Sequence, residues 1–284
     1  PISGSVSTQV TVEGVGFDAN QTVQIDFGTH QTITTVLSAP SGTFSSTFLV
    51  STQTWGIKEI TASTTNEQNI YKNRQGETTT FSILSKIIIF TPTLGVANDL
   101  VTIEGTGFDS GTVRIDFGNN QTITSTIVLG NGTFSATFTI DGQPSGQKVI
   151  TCIHTTNELS LDTTSFDIKA KIGTITPSFG TVSSEVTVEG TGYAGAEPIS
   201  IFFGTTETIA TTLAGPGGTF SVTFLVSTQT YGTKTITTLG GTNNGSAVSS
   251  FQILSNIILR EPDNVLSEPI LLLKAQALMI LLSI

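Results

Sequence analysis

The side chains able to do chemistry are few and scattered. Two histidines, His30 and His154, and one cysteine, Cys152, are the strongest base, nucleophile and soft-ligand candidates in 284 residues. A hydrolase needs a nucleophile within reach of a base, and neither histidine has a recognisable partner. The lone cysteine excludes an intrachain disulfide and any multi-cysteine metal site. It lies in the alternating run Val149-Ile150-Thr151-Cys152-Ile153, which predicts a buried thiol packed as a small hydrophobe. Glu13, Glu104 and Glu189 stand 91 and 85 residues apart, whereas a glycosidase pair needs two carboxylates in one cleft. Asp18 and Asp26 find matches in Asp109 and Asp116, but Ala194 and Phe202 follow in the third place. No Asp-x-Asp-x-Asp loop gathers enough oxygens for calcium, so these read as solvated carboxylates at strand ends. Trp55 and Tyr231 each precede a glycine, with Ser145 between them in the series. One aromatic per unit is expected to plug a core or cover an edge, not to form a sugar platform. No catalytic, cofactor-binding or metal-ligating residue emerges.

Composition points the same way. Charged residues make up 11% of the chain, while 52 residues are threonine and 29 are glycine. Threonine suits the exposed face of a pleated strand and glycine supplies turns, so the chain reads as all-β. A net charge of −10 with only 11 basic residues excludes nucleic acid as a partner, because phosphate binding needs clustered Lys and Arg. Asn20, Asn120, Asn131 and Asn244 head Asn-x-Ser/Thr sequons, which permit N-glycosylation. The sequence begins directly in domain-like residues, as a processed chain or a trimmed piece would.

Internal repetition organises these residues. Val10-Thr-Val-Glu-Gly-Val-Gly-Phe17 recurs as Val101-Thr-Ile-Glu-Gly-Thr-Gly-Phe108 and as Val186-Thr-Val-Glu-Gly-Thr-Gly-Tyr193. Each copy leads to a strand ending in Phe-Gly, at Gly28, Gly118 and Gly204. A block then follows with two phenylalanines four apart, Phe44/Phe48, Phe134/Phe138 and Phe220/Phe224. That spacing puts both rings on one strand face and makes them core anchors. About seven short strands per unit, with turn signals between, is the pattern of an immunoglobulin-like sandwich. The units are predicted at 1–85, 86–170 and 171–255, with 256–262 as the leading strand of an absent fourth and 263–284 as an apolar tail. The Gly-x-Gly pairs, such as Gly14/Gly16, are expected to allow positive φ or a bulge. They do not read as a nucleotide loop, since no helix follows to meet a phosphate. Linkers are almost absent, which predicts a stiff rod.

Pro92-x-x-Gly95 followed by Val101-Thr-Ile-x-Gly-x-Gly-Phe108 resembles the IPT/TIG family of immunoglobulin-like domains, and all three repeats share the pattern. The resemblance implies a fold used mostly in extracellular binding and surface architecture of bacterial or archaeal cells. It carries over no catalytic residues. The basic DNA-contacting loops of the transcription-factor members have no counterpart here.

The ends differ from the middle. Repeats two and three open on leading strands, Lys86-Ile-Ile-Ile-Phe90 and Lys171-Ile-Gly-Thr-Ile175, whereas Pro1 aligns with Pro92 and Pro177. A spare strand, Asn256-Ile-Ile-Leu-Arg-Glu-Pro262, lies at the other end. One reading is donor-strand pairing: Ile257, Ile258 and Leu259 of one copy fill the open edge beside Val10 and Val12 of the next, and the contact propagates a head-to-tail homopolymer. The other is a piece of a longer array, with neighbouring repeats as partners. The tail, with helical composition, shares nothing with the repeats. Codons exist for residues 265–284 that, read two bases later, spell the opening of a fourth repeat, including Gly-Thr-Gly-Phe. The tail is therefore expected to be an out-of-frame remnant, a point the gene sequence decides. Read as it stands, its 16-residue apolar end is short for a membrane span, so contact with a membrane is expected only through this tail.

These observations predict a non-enzymatic extracellular or cell-surface structural protein, a subunit or fragment of a filament, sheath or S-layer. The alternative is an adhesin, or an accessory array of a larger secreted protein that binds glycan or protein.

Overall fold

In the computed structural model, residues 1–64, 76–241 and 245–257 are described. Asn244, Ile258, Leu259 and the tail 263–284 lie outside the described residues. Repeat one contains β1 (Ser3–Gly4), β2 (Gln9–Gly14), β3 (Thr22–Phe27), β4 (His30–Leu37), β5 (Phe44–Leu49), β6 (Gly56–Thr64) and β7 (Gly76–Ile83). Repeat two contains β8 (Lys86–Thr91), β9 (Leu94–Gly95), β10 (Leu100–Thr106), β11 (Gly111–Phe117), β12 (Asn120–Val128), β13 (Phe134–Thr139), β14 (Gly146–His154) and β15 (Leu161–Ile168). Repeat three contains β16 (Lys171–Thr176), β17 (Phe179–Gly180), β18 (Glu185–Thr191), β19 (Pro198–Phe203), β20 (Thr206–Leu213), β21 (Phe220–Leu225), β22 (Gly232–Gly240) and β23 (Ser246–Ile253). The described chain is all-β, in three sandwiches.

Each repeat sets a five-stranded sheet against a smaller one. The large sheets run β1-β7-β6-β3-β4, β9-β15-β14-β11-β12 and β17-β23-β22-β19-β20. The small sheets are β8-β10-β13 in repeat two and β16-β18-β21 in repeat three, but only β2-β5 in repeat one.

Period-two patterning decides what faces inward. In β3, Val23, Ile25 and Phe27 are fully buried while Thr22, Gln24 and Asp26 face outward. In β5, Phe44 and Phe48 are the two buried positions. Their rings meet partners from other strands: Phe17 lies edge-on to Phe44 at 5.0 Å, and Phe27 lies 5.2 Å from Phe48. Repeats two and three reproduce these pairs with Phe108–Phe134, Phe117–Phe138, Tyr193–Phe220 and Phe203–Phe224. Each buried ring contributes about 1.5–3 kcal/mol of transfer free energy, so one such quartet is a large part of a small domain's stability.

Candidate assembly site

The leading strands of repeats two and three define what their place in the fold requires. Strand β8 runs antiparallel to β10, pairing Thr91 with Thr102 and Phe90 with Ile103. Ile87 and Phe90 turn inward onto the repeat-two core, and the Phe90 ring stands 5.8 Å from Phe166. The Ile87 amide donates to Asp162 Oδ2 at 2.8 Å, which fixes the strand's start. Strand β16 pairs with β18 in the same way, and Ile172 and Ile175 pack on the repeat-three core.

In repeat one, among the described residues, β2 pairs with β5 alone. A groove of about 390 Å³ runs along its other edge, lined by Val12, Val15, Phe17, Phe44, Ile60 and Glu77 among others. Val10 is buried, as its equivalents Val101 and Val186 are. Val12 is only half-buried, whereas Ile103 and Val188 in its place are fully buried. Val15 is 78% exposed where Thr106 is 4% exposed. Register supplies one more detail. Ala62 pairs with Ile25 and with Glu77, as Cys152 pairs with Ile115 and with Asp162. Glu77 therefore occupies the place from which Asp162 receives the leading strand's amide. At the other end Ile257 is 89% exposed; Ile258 and Leu259, its expected companions, lie outside the described residues.

The junctions between repeats carry a second set of contacts. The loop between β5 and β6 holds Gln53, whose Oε1 accepts the Thr29 amide at 2.9 Å and whose Nε2 donates to the Phe27 carbonyl at 3.1 Å. From that loop Trp55, half-buried, donates its amide to the Phe108 carbonyl of repeat two at 3.2 Å. Ser145 does the same for repeat three, reaching the Gly192 carbonyl at 2.9 Å. Ser85, in the first linker, donates to the Gly107 carbonyl and meets Ser160 Oγ, each at 3.1 Å. Gln53, Gln143 and Gln229 recur three residues before Gly56, Gly146 and Gly232. That regularity is the sequence signal of the loop, although an uncharged amide carries no catalytic or metal-binding signature.

The other singled-out residues fall apart in space or serve locally. His154 is buried, with its Nε2 2.9 Å from the Ser110 carbonyl and its Nδ1 accepting the Asn157 amide at 2.9 Å; those partners fix the orientation of its ring. His30 is exposed at the start of β4. Cys152 is fully buried in the repeat-two core, and desolvation, with smaller contributions from Asp162 and Asp116, pushes its thiol far above the usual range. Asp26 and Asp116 accept the amides of Thr32 and Thr122, at 2.7 and 2.8 Å, so they hold turns. The Asn157 side chain, donating to Asp109, holds that carboxyl below its ordinary value. Glu104 and Glu189 accept hydroxyl protons from Ser135 and Thr174 within their own sandwiches. Among the described residues, no group of three or more His, Cys, Asp or Glu stands close enough to hold a metal ion. Asn20 and Asn131 are exposed, and Asn120 is half-buried with its amide donated to Asp141 Oδ2.

No family model matches this chain, and no curated protein does. Solved structures similar to it include the BSP domain of a biofilm-associated protein, with a TM-score of 0.22 and 10% identity over 88% of this chain and 64% of that one. Another is the adhesin InvE of Yersinia pseudotuberculosis, at 0.31 and 13%, covering 60% of this chain and 59% of that one. A third is SGBP-B of a Bacteroides ovatus mixed-linkage glucan utilisation locus, in complex with a heptasaccharide, at 0.29 and 11%, covering 94% and 71%. The match to the first two spans about three fifths of their length.

Proposed function

We propose that this chain is a non-catalytic structural rod of an extracellular or cell-surface protein, extended head to tail by strand addition at repeat one. The observation that carries the reading is the open edge of β2. Two sister domains fill that edge with an apolar strand, and among the described residues repeat one leaves it bare beside half-buried Val12 and exposed Val15. A strand added there gains backbone hydrogen bonds along β2 and buries apolar side chains in the groove, the two components of β-augmentation. The donor is the segment 256–262 of another copy, which aligns with β8 and β16. A head-to-tail contact of this kind is heterologous and does not close on itself. The IPT/TIG-like motif and the outside location belong to the same reading; the adhesins among similar folds agree with it without carrying it.

A second reading, a glycan- or protein-binding array, rests on paired clefts. Glu13, Leu37, Thr43 and Phe44 line one in repeat one, and Glu189, Leu213, Thr219 and Phe220 line its equivalent in repeat three. Negative-stain electron microscopy of the chain at several concentrations, with and without residues 256–284, tests the first reading. Fibres that vanish on truncation support it. Single three-lobed particles in both samples overturn it and turn attention to the clefts.

A further inference from the structure

The two junctions between repeats use equivalent positions but not equivalent residues. At the first stand Trp55, Ser85, Asp109 and Ser160; at the second, Ser145, Ala170, Ala194 and Gly245 take their places. Ser85 Oγ donates to the Gly107 carbonyl and meets Ser160 Oγ, each at 3.1 Å, and Ser160 Oγ also accepts the Asp109 amide at 2.9 Å. Both serines are buried, so this chain of bonds clamps the last linker residue before β8 onto repeat two. Ala170 and Gly245 carry no hydroxyl with which to repeat it.

Closenesses differ as well. A Cβ on Gly132 of repeat two would stand 2.4 Å from the Gln53 carbonyl oxygen of repeat one, so that turn is pressed against the preceding repeat. At the second junction a Cβ on Gly218, in Gly132's place, would first meet the Tyr193 carbonyl oxygen of its own repeat, at 2.2 Å. A Cβ on its neighbour Gly217 would stand 3.8 Å from the Gly142 carbonyl oxygen of repeat two, an ordinary contact. A cleft of about 350 Å³ remains between repeats two and three, lined by Ser145, Asp167, Lys169, Ala170 and Gly245 among others. Ser145 Oγ is buried without a hydrogen-bond partner. Such a group carries its desolvation cost uncompensated, and opening the cleft returns it to water.

We infer that the junction between repeats two and three is the hinge of the rod, bending about Ala170, while the junction between repeats one and two holds its angle. Relative motion is the default for domains in one chain unless their interface is large and well packed. The first junction has a half-buried Trp55, the serine pair and the pressed turn. The second keeps the Ser145 amide bond to the Gly192 carbonyl as its pivot and has small residues elsewhere. The inference concerns a single chain and stands or falls independently of strand addition between copies.

Thr35, Ser125 and Thr211 are exposed at the same register of β4, β12 and β20, and Cys152 is too buried to compete for a label. In the full chain, nitroxide labels are placed on the pair Thr35→Cys with Ser125→Cys, and on the pair Ser125→Cys with Thr211→Cys. Each sample is diluted with unlabelled protein, and double electron–electron resonance then reads distances within one chain. The distribution across the second junction is expected to be at least about twice as broad as that across the first. Equal widths, or a broader first junction, overturn the inference. Trp55→Ser with Ser85→Ala gives the first junction the residues that the second has at those places. Both positions lie outside the hydrophobic cores, so the repeats stay folded, and the first distribution is expected to broaden to match the second. A first junction that stays narrow in this variant also overturns the inference, because small residues would then not be what frees the second.

Discussion

Gly14 and Gly16 look alike in the sequence, as do their counterparts, but different forces select them. Gly16, Gly107 and Gly192 have φ of 80°, 70° and 89°, the left-handed region that favours glycine. Gly14, Gly105 and Gly190 do not need it. A Cβ on Gly105 would stand 2.4 Å from a ring carbon of Phe134 and 2.7 Å from one of Phe108, and the Phe44 and Phe220 rings crowd the other two. Gly105→Ala is therefore expected to cost about 1–3 kcal/mol by overpacking, read as a lower midpoint in urea with an unchanged slope. The Gly-x-Gly motif was legible as a turn signal; that its first glycine is a seat for an aromatic ring was not, because the ring comes from a strand some thirty residues on. Cys152 gives a second residue-scale expectation. Burial raises its folded pKa above the ordinary thiol value of 9.0, so the thiol contributes stability that is fully present below the unfolded value and is lost as pH rises above it. Denaturation midpoints should fall between pH 9 and 10.5 more in the wild type than in Cys152→Ala. Iodoacetamide should label the thiol only as fast as the sandwich opens, and rapid native-state labelling would contradict its burial.

Elements were easier to read than their contacts. Alternation and the paired phenylalanines made the strands and core anchors legible, since each signal is contained in one strand. The unpaired edge of β2 was an expectation from alignment alone: β8 and β16 match each other, and no described residue of repeat one aligns with them. That Glu77 stands in the place of Asp162 could not be read, since it depends on cross-strand register with Ala62. If the groove is an acceptor, it should take the strand as a free peptide. A peptide with the sequence 86–92 is expected to raise the unfolding temperature of repeat one; at a hundredfold excess over its Kd the stabilisation is about 2.7 kcal/mol. The same peptide with aspartate in place of Ile87 and Phe90 should do nothing, because inward positions of the groove are apolar. Equal shifts from both peptides in calorimetry would mean that the binding is not strand insertion.

At the scale of the whole molecule the question is whether the open edge drives association or is merely tolerated. An exposed sheet edge is an aggregation hazard that proteins ordinarily cover, and here the same chain shows how to cover it. Placing the six residues Lys-Ile-Ile-Ile-Phe-Thr directly before Pro1 supplies repeat one with a strand in cis, in the register that β8 holds ahead of Pro92. A strand tethered by a short link competes at an effective concentration on the order of millimolar. A second copy present at micromolar concentration would be out-competed about a thousandfold. The extended chain is therefore expected to remain monomeric in sedimentation velocity at concentrations where strand addition would assemble the original. Its first unfolding transition should rise, because Val12 and Phe17 become as buried as Ile103 and Phe108. The two effects must appear together. A chain that gains stability yet still polymerises would place the association elsewhere than on the β2 edge. A chain that gains nothing would mean that repeat one has closed around its missing strand and that its edge is not a site.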